Sequence, residues 1–165
     1  MNPRVLVAGV GNLFLGDDGF GPEVARRLAG RPLPDGVGVV DYGIRGMHLA
    51  YDLLEGYDAL VIVDALPGEK QAGELTVLEV GPDDLGEGPL DAHGMDPVAV
   101  LANLDTLGGQ LPRTLVVGCQ PLDLSEGIGL SPVVTSAVDA AVALVSELVA
   151  DLTRRHATAG TGGGG

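Results

Sequence analysis

Residues 4–30 read RVLVAGVGNLFLGDDGFGPEVARRLAG, and this stretch decides the fold. The run 4–8 is rich in valine and leucine and Gly9 ends it, which indicates a short buried strand. A glycine-rich loop follows the strand. Pro22 then lies near the start of a helix, and Gly30 lies at its end. A strand, a loop and a helix in this order are typical of an α/β domain.

Further segments along the chain repeat this alternation. Strands are expected at Gly38 to Asp41, Ala59 to Asp64, Leu75 to Val80 and Thr114 to Gly118, and helices at Met47 to Leu54, Pro97 to Leu107 and Pro132 to Leu152. Wholly apolar strands between helices indicate a parallel sheet that is covered on both faces. The link between the strands ending at Asp64 and starting at Leu75 is shorter than the dozen or so residues of a parallel crossover, so Leu75 to Val80 is predicted to be antiparallel at an edge.

These elements predict a three-layer α/β fold, with a twisted, mostly parallel sheet of about five strands, helices on both faces and one antiparallel strand. The chain has 165 residues, which suits one domain. The predicted domain covers residues 1–152. From Thr153 the sequence becomes Arg-Arg-His and then glycine-rich, which predicts a disordered tail over 153–165.

The composition excludes several classes of partner. The formal net charge is −14, and such an acidic surface disfavours nucleic acid and anionic membranes. The polar residues within Pro132 to Ala150 argue against a membrane span. Cys119 is the only cysteine, and the N-terminus has no signal-peptide layout, so we expect a soluble protein in the reducing cytoplasm.

The glycine-rich loop resembles a dinucleotide fingerprint only in part. Gly9 and Gly11 fit, but Phe14 occupies the third glycine position. Asp17 and Asp18 would also repel a pyrophosphate at the following helix N-terminus. A flavodoxin-like nucleotide-binding protein is therefore a weaker alternative, which bound cofactor or a thermal shift with nucleotides would reveal.

Acidic residues and one histidine are the candidates for chemistry. One of Asp17 and Asp18 suffices to cap a helix, and the other can face the cleft beyond the carboxyl ends of the parallel strands. Asp64 ends the third strand at that edge, although a lone aspartate there can also form a turn. His93 lies in a loop, where functional residues are common. Two carboxylates and an imidazole would suit a borderline divalent metal with open coordination positions.

Nucleophilic catalysis receives little support from the sequence. None of the four serines lies in a Gly-x-Ser-x-Gly elbow. Cys119 ends a buried strand, and the spacing places no histidine beside it, so it is interpreted as a core residue. The chain has no His-Glu-x-x-His helix, which excludes a zincin.

Residues 9–21, GVGNLFLGDDGFG, resemble the opening signature of the hydrogenase maturation peptidases. The similarity continues through 41–46 (DYGIRG), 63–65 (VDA), 92–94 (AHG) and 129–132 (GLSP). It covers nearly all of the chain except the tail. The resemblance implies a twisted sheet flanked by helices, and an endopeptidase that removes the C-terminal extension of a nickel-iron hydrogenase large-subunit precursor after nickel insertion.

The resemblance also implies roles for particular residues. Asp18, Asp64 and His93 match the family's metal ligands, and Asp18 and Asp64 are the candidate catalytic carboxylates of a family often grouped with aspartic-type endopeptidases. Nickel would arrive with the precursor, and cadmium or another divalent ion could replace it in crystals. Tyr42 and Ile44 depart from the residues that relatives often carry, so the choice of hydrogenase does not carry over.

The expected partner is the precursor, and we expect the protein to be a monomer. A carboxylate could act as general base, or the metal could polarise the carbonyl or acidify water. The alternative function is a metal-sensing or metal-delivery protein with the same three ligands and no peptidase activity. A precursor cleavage assay separates the two.

Overall fold

The computed structural model describes residues 3–81, 101, 104 and 107–162, with the side chains of the final helix described to Arg154. The strands are β1 (Val5–Val10), β2 (Val37–Gly43), β3 (Ala59–Ala65), β4 (Leu75–Val80) and β5 (Arg113–Cys119). The α-helices are α1 (Phe20–Ala29), α2 (Gly46–Leu53) and α3 (Pro132–Gly162), and a 3-10 turn, Gly16–Gly19, precedes α1.

The described strands form one sheet in the order β2-β1-β3-β5-β4. β1 pairs in parallel with β2 and β3, and β3 pairs in parallel with β5. β4 is antiparallel to β5 at the edge, which confirms the prediction from the short link before it. The chain leaves β1 for β2 on one side and then returns to β3 on the other side. The direction of strand addition therefore reverses at β1 and β3, the place where open α/β sheets bind ligands.

Two apolar clusters cover the two faces of the sheet, as predicted. The first core packs α1 and α3 on one face, and the second core packs α2 on the other. Alternate residues of each strand supply the two clusters, as the two-residue period of a strand requires. Val5 and Val7 of β1 belong to the first core, whereas Leu6 and Ala8 belong to the second.

The predicted helix from Pro97 to Leu107 lies mostly outside the described residues. Leu101 is helical, and Leu101 and Leu104 are buried in the second core. These two leucines therefore place their part of the chain on the same face of the sheet as α2.

The last helix, α3, differs from its prediction at the C-terminal end. Its backbone remains helical to Gly162, whereas the sequence predicted an end near Leu152 and a disordered tail from Thr153. Extending an existing helix needs no new nucleation, so a weak sequence can continue a helix that packing has already fixed. Thr153 continues the helix, and its hydroxyl donates to the carbonyl oxygens of Val149 and Ala150 in the preceding turn.

Part of α3, Pro132–Arg154, is long and apolar enough to cross a membrane by length and composition alone. Its apolar stripe lies in the first core, as is usual for a core helix. The buried members of the stripe are Val134, Ala137, Val138, Ala141, Val142, Val145, Val149 and Leu152. The apolar composition of α3 is thus explained by packing against the sheet.

Candidate functional site at the carboxyl ends of β1 and β3

The start of α1 lies directly against the ends of the two central strands. A Cβ atom added to Gly21 would be 2.2 Å from the carbonyl oxygen of Val63 and 2.4 Å from that of Val10. Only glycine permits this approach of helix to sheet. The close packing brings the turn that carries Asp17 and Asp18 to the end of β3, where Asp64 lies.

Asp18 lies in the 3-10 turn and is partly buried. Its Oδ2 accepts a hydrogen bond of 2.8 Å from the backbone N–H of Asn12, in the loop that follows β1. Gly11 makes room for this arrangement. Its φ is 149°, and a Cβ atom added to it would lie 1.9 Å from the carbonyl oxygen of Asp18. One oxygen of the Asp18 carboxylate is thus fixed by the loop.

Asp64 is the penultimate residue of β3 and is only 7% exposed. Its backbone pairs with Gly118 of β5. Leu60 and Ile62 face the second core, so the two-residue period of the strand places Asp64 on that same face. The structure therefore confirms that Asp64 lies at the sheet edge where the sequence placed it.

His93, the third predicted metal ligand, lies outside the described residues. Among the described residues, no three histidine, cysteine, aspartate or glutamate side chains are close enough to hold a metal ion. The predicted set of Asp18, Asp64 and His93 therefore stays a prediction. Leu101 and Leu104 follow His93 in the sequence and pack on the face of the sheet to which Asp64 belongs.

Asp17 has a role that the sequence did not reveal. It is fully buried, and its carboxylate accepts hydrogen bonds from the backbone N–H groups of Leu122, Asp123 and Ser131 and from the Ser131 hydroxyl. Burial raises the pKa of Asp17, but these hydrogen bonds outweigh it and leave the pKa lowered. The carboxylate is therefore held as an anion.

The helix-capping interpretation of these aspartates was wrong. The residue before α1 is Gly19, and within the described part of the chain no side chain caps this helix. Asp17 instead binds the loop between β5 and α3, more than a hundred residues away in the sequence. Local sequence patterns carry no signal for such a distant partner.

Cys119 is confirmed as a core residue. It is fully buried in the first core, and burial, together with the nearby charge of Asp17, raises the pKa of its thiol to about 11. A thiol in this state is a poor nucleophile near neutral pH. The serine hydroxyls of the neighbouring loop are also engaged, since Ser131 donates to Asp17 and Ser125 donates to Asp123.

Tyr42 and Ile44, which distinguish this chain in the loop after β2, occupy different environments. Tyr42 is buried in the second core, and its hydroxyl donates to Asp52 of α2. Burial and this contact raise the pKa of Tyr42. Ile44 is 56% exposed. Tyr42 thus fixes the loop to α2, while the Ile44 side chain is exposed to solvent.

Large apolar side chains are exposed on the loops around Asp18. We call this set the apolar rim, and it comprises Leu13, Phe14, Ile44, Leu122, Leu124 and Ile128. Ile128 is 79% exposed and Phe14 is 66% exposed. Exposed apolar patches on small domains commonly mark interaction sites. The sequence alone does not reveal the rim, because the pattern of apolar residues in loops does not show which of them the fold leaves uncovered.

Two open clefts flank the loop after β1. One, of about 240 Å³, lies between residues 11–14 and 41–45. The other, of about 230 Å³, lies between the loop 13–19 and residues 128–130, and Glu23, Arg27 and Thr135 supply its polar wall. The rim and the clefts form a surface that suits a protein or peptide better than a small, fully enclosed ligand.

Comparisons with known proteins agree on one family. The family model described as hydrogenase maturation protease (HycI) matches residues 22–148. The hydrogenase 2 maturation protease of Escherichia coli is 34% identical over 143 residues, which cover 84% of this chain and 86% of the relative. The hydrogenase expression/formation protein HupD of Bradyrhizobium diazoefficiens is 32% identical over 155 residues, which cover 90% of this chain and 79% of HupD.

The fold is similar to that of a solved member. The hydrogenase maturating endopeptidase HybD of E. coli matches with a TM-score of 0.78 and 30% identity, over 90% of this chain and 93% of HybD.

Proposed function

The chain belongs to the hydrogenase maturation protease family, and from this we propose that it removes the C-terminal extension of a nickel-iron hydrogenase large-subunit precursor after nickel insertion. The observation that carries the proposal is the position of Asp18 and Asp64. Both lie where the strand order reverses, and the turn that carries Asp18 contacts β3. This is the expected location of a binding site in an open α/β sheet.

We propose that Asp18, Asp64 and His93 recognise the nickel that the precursor carries. Among the described residues, the N–H of Asn12 is the one hydrogen-bond donor to the Asp18 carboxylate, and it binds Oδ2, so Oδ1 can face a ligand. Carboxylate and imidazole ligands suit a borderline divalent ion, and three of them leave positions for the precursor's own ligands. Nickel then acts as part of the substrate and as the recognition element.

The proposed chemistry is hydrolysis assisted by carboxylates. Cys119 is buried, and the hydroxyls of Ser125 and Ser131 are bound to aspartates, so none of these three side chains is placed as a nucleophile. A carboxylate of Asp18 or Asp64 that the metal does not fully occupy can act as general base on water, in keeping with an aspartic-type endopeptidase. The substrate-borne metal can also polarise the scissile carbonyl.

The surface around the site supports a protein substrate. The apolar rim surrounds Asp18 on loops from three different connections of the sheet. The net charge of −14 disfavours nucleic acid and anionic membranes as partners. We further propose a cytoplasmic monomer, which agrees with a single cysteine that is buried and unpaired.

The test compares nickel-loaded and apo precursor as substrates and measures the mass of the product. We expect the wild type to release the C-terminal peptide from nickel-loaded precursor only. Asp18→Asn and Asp64→Asn keep the shape of each side chain and remove the anionic ligand, so both should abolish cleavage while circular dichroism stays unchanged. Nickel-dependent binding without cleavage would identify a metal-sensing or metal-delivery protein, and efficient cleavage of apo precursor would refute recognition through nickel.

A further inference from the structure

Asp17 joins two loops that are distant in the sequence. Its Oδ2 accepts hydrogen bonds from Leu122 N (2.8 Å), Asp123 N (2.9 Å) and Ser131 Oγ (2.8 Å), and its Oδ1 accepts one from Ser131 N (2.6 Å). Hydrogen bonds to a carboxylate are stronger than those between neutral groups. A single side chain therefore fixes the start and the end of the segment 122–131, which contains neither a helix nor a strand.

Backbone contacts extend the same junction. The N–H of Asp17 donates to Asp123 O at 2.8 Å, Gly16 N donates to Gly127 O at 2.9 Å, and Gly127 N donates to Phe14 O at 2.8 Å. Three backbone hydrogen bonds thus join the segment 14–17 to the segment 123–127. Asp17 adds a side-chain carboxylate that accepts hydrogen bonds across the junction, so its substitution alters these bonds and leaves the backbone groups in place.

The junction lies beside a cleft, since Gly16 belongs to the junction and also lines that cleft. Leu13, Gly16 and Gly19 line one wall of the 230 Å³ cleft, and residues 128–130 line the other. Leu122 and Ile128 of the apolar rim lie on the segment that Asp17 holds. Asp18 is the next residue in the chain, and it lies in the turn whose first and last residues, Gly16 and Gly19, line the cleft. The separation of the walls and the orientation of Asp18 therefore depend on the same contacts.

We propose that Asp17 is a positioning residue that holds the segment 122–131 against the Asp18 turn and so aligns the precursor in the cleft. The proposal rests on the proposed function, because it gives the cleft the precursor as occupant. Asp17 acts through the two loops and does not contact the substrate, since it is completely buried.

Asp17→Asn tests the proposal with the smallest change of shape. An amide offers one acceptor oxygen, so its NH2 group must face at least one of the backbone donors that Asp17 now satisfies. The two cores do not include Asp17, so we expect the sheet and helices to persist while the segment 122–131 loosens. The KM for nickel-loaded precursor should rise about tenfold, which corresponds to the loss of about one charged hydrogen bond, while kcat falls less.

Two further variants calibrate this effect, one as a control and one as a milder change to the same contacts. Asp35→Asn makes the same chemical change on an exposed residue far from the loops and should leave KM unchanged. Ser131→Ala removes one of the four donors and keeps the backbone N–H, so KM should rise only about threefold. Amide hydrogen exchange at Leu122, Asp123 and Ser131 should accelerate in Asp17→Asn and not in Asp35→Asn.

The kinetic pattern separates positioning from stability. A purely structural role would reduce the folded fraction, so kcat per total enzyme would fall at unchanged KM. A folded Asp17→Asn enzyme with the wild-type KM overturns the proposal. If Asp17→Asn does not fold, Ser131→Ala decides, and an unchanged KM in that variant overturns it. A wild type that cleaves no precursor would refute the proposed function and the substrate alignment with it, whereas hydrogen exchange would still report whether Asp17 holds the loops.

Discussion

Gly21→Ala is the substitution that should most directly disturb the relation between Asp18 and Asp64. The added methyl group would lie 2.2 Å from Val63 O and 2.4 Å from Val10 O, both of which are backbone atoms of central strands. Neither oxygen can rotate away as a side chain could. The start of α1 must therefore move away from the sheet by about 1 Å, a displacement that commonly costs about a hundredfold in rate when it misaligns a reactive site.

The expected loss of stability is the balance of two effects. Overpacking of this kind typically costs about 1–3 kcal/mol, whereas replacing glycine by alanine inside a helix gains up to about 1 kcal/mol. A net loss of about 1–2 kcal/mol should result. Gly30→Ala is the matched control at the other end of the same helix, because its nearest neighbour, Arg27 O, would be 3.7 Å away and its φ is −88°.

Urea unfolding gives the free energy of unfolding, and cleavage of nickel-loaded precursor gives the rate. We expect Gly21→Ala to lose both stability and roughly a hundredfold in kcat/KM, and Gly30→Ala to lose neither. Equal stability and equal activity in the two variants would refute the inference that contact between α1 and the ends of β1 and β3 sets the site.

Three further outcomes are expected. Cys119 should resist iodoacetamide at pH 8 in the native protein and react after denaturation, as mass spectrometry would show, because a pKa of about 11 leaves about one thiolate in a thousand. Burial raises the pKa of Glu23, but hydrogen bonds from Arg26 and Arg27 outweigh it and leave the pKa lowered. Wild type should therefore exceed Glu23→Gln in unfolding free energy by a few tenths of a kcal/mol at pH 7, a difference lost as the pH falls through the lowered pKa. Removal of residues 153–165 should leave the thermal midpoint and cleavage unchanged, and loss of either would show that this part of α3 packs on the domain.

The strands and their directions could be predicted from the sequence, because they depend on the spacing of nearby residues along the chain. The period of apolar residues located each described strand to within two residues, and the strand Leu75–Val80 has the predicted bounds. The length of the link before it was enough to predict its antiparallel direction. The end of α3 was not predictable in the same way, since helix propagation depends on a packed neighbour upstream rather than on the residues that continue it.

Residues of the candidate site could be predicted only where their location follows from their position along a single strand or loop. Asp64 follows an apolar strand, so its place at the carboxyl edge follows from the strand itself. The burial of Asp17 and the exposure of Ile128 arise from contacts between loops more than a hundred residues apart. Such contacts form only in the folded chain, and no periodicity records them. His93 stays a prediction.

The geometry of the 3-10 turn explains why neighbouring aspartates differ in role. Successive residues of such a turn point about 120° apart, because three residues complete one turn. Asp17 faces the segment 122–131, and Asp18 faces the loop after β1. If the turn were shifted by one residue, the Asp17 carboxylate would rotate away from the segment 122–131 and toward the cleft. The backbone and hydroxyl donors of that segment would then lose their acceptor. The four donors to Asp17 thus also fix the position of Asp18 in the turn, so the buried Asp17 affects the partly buried Asp18 without contacting the substrate itself.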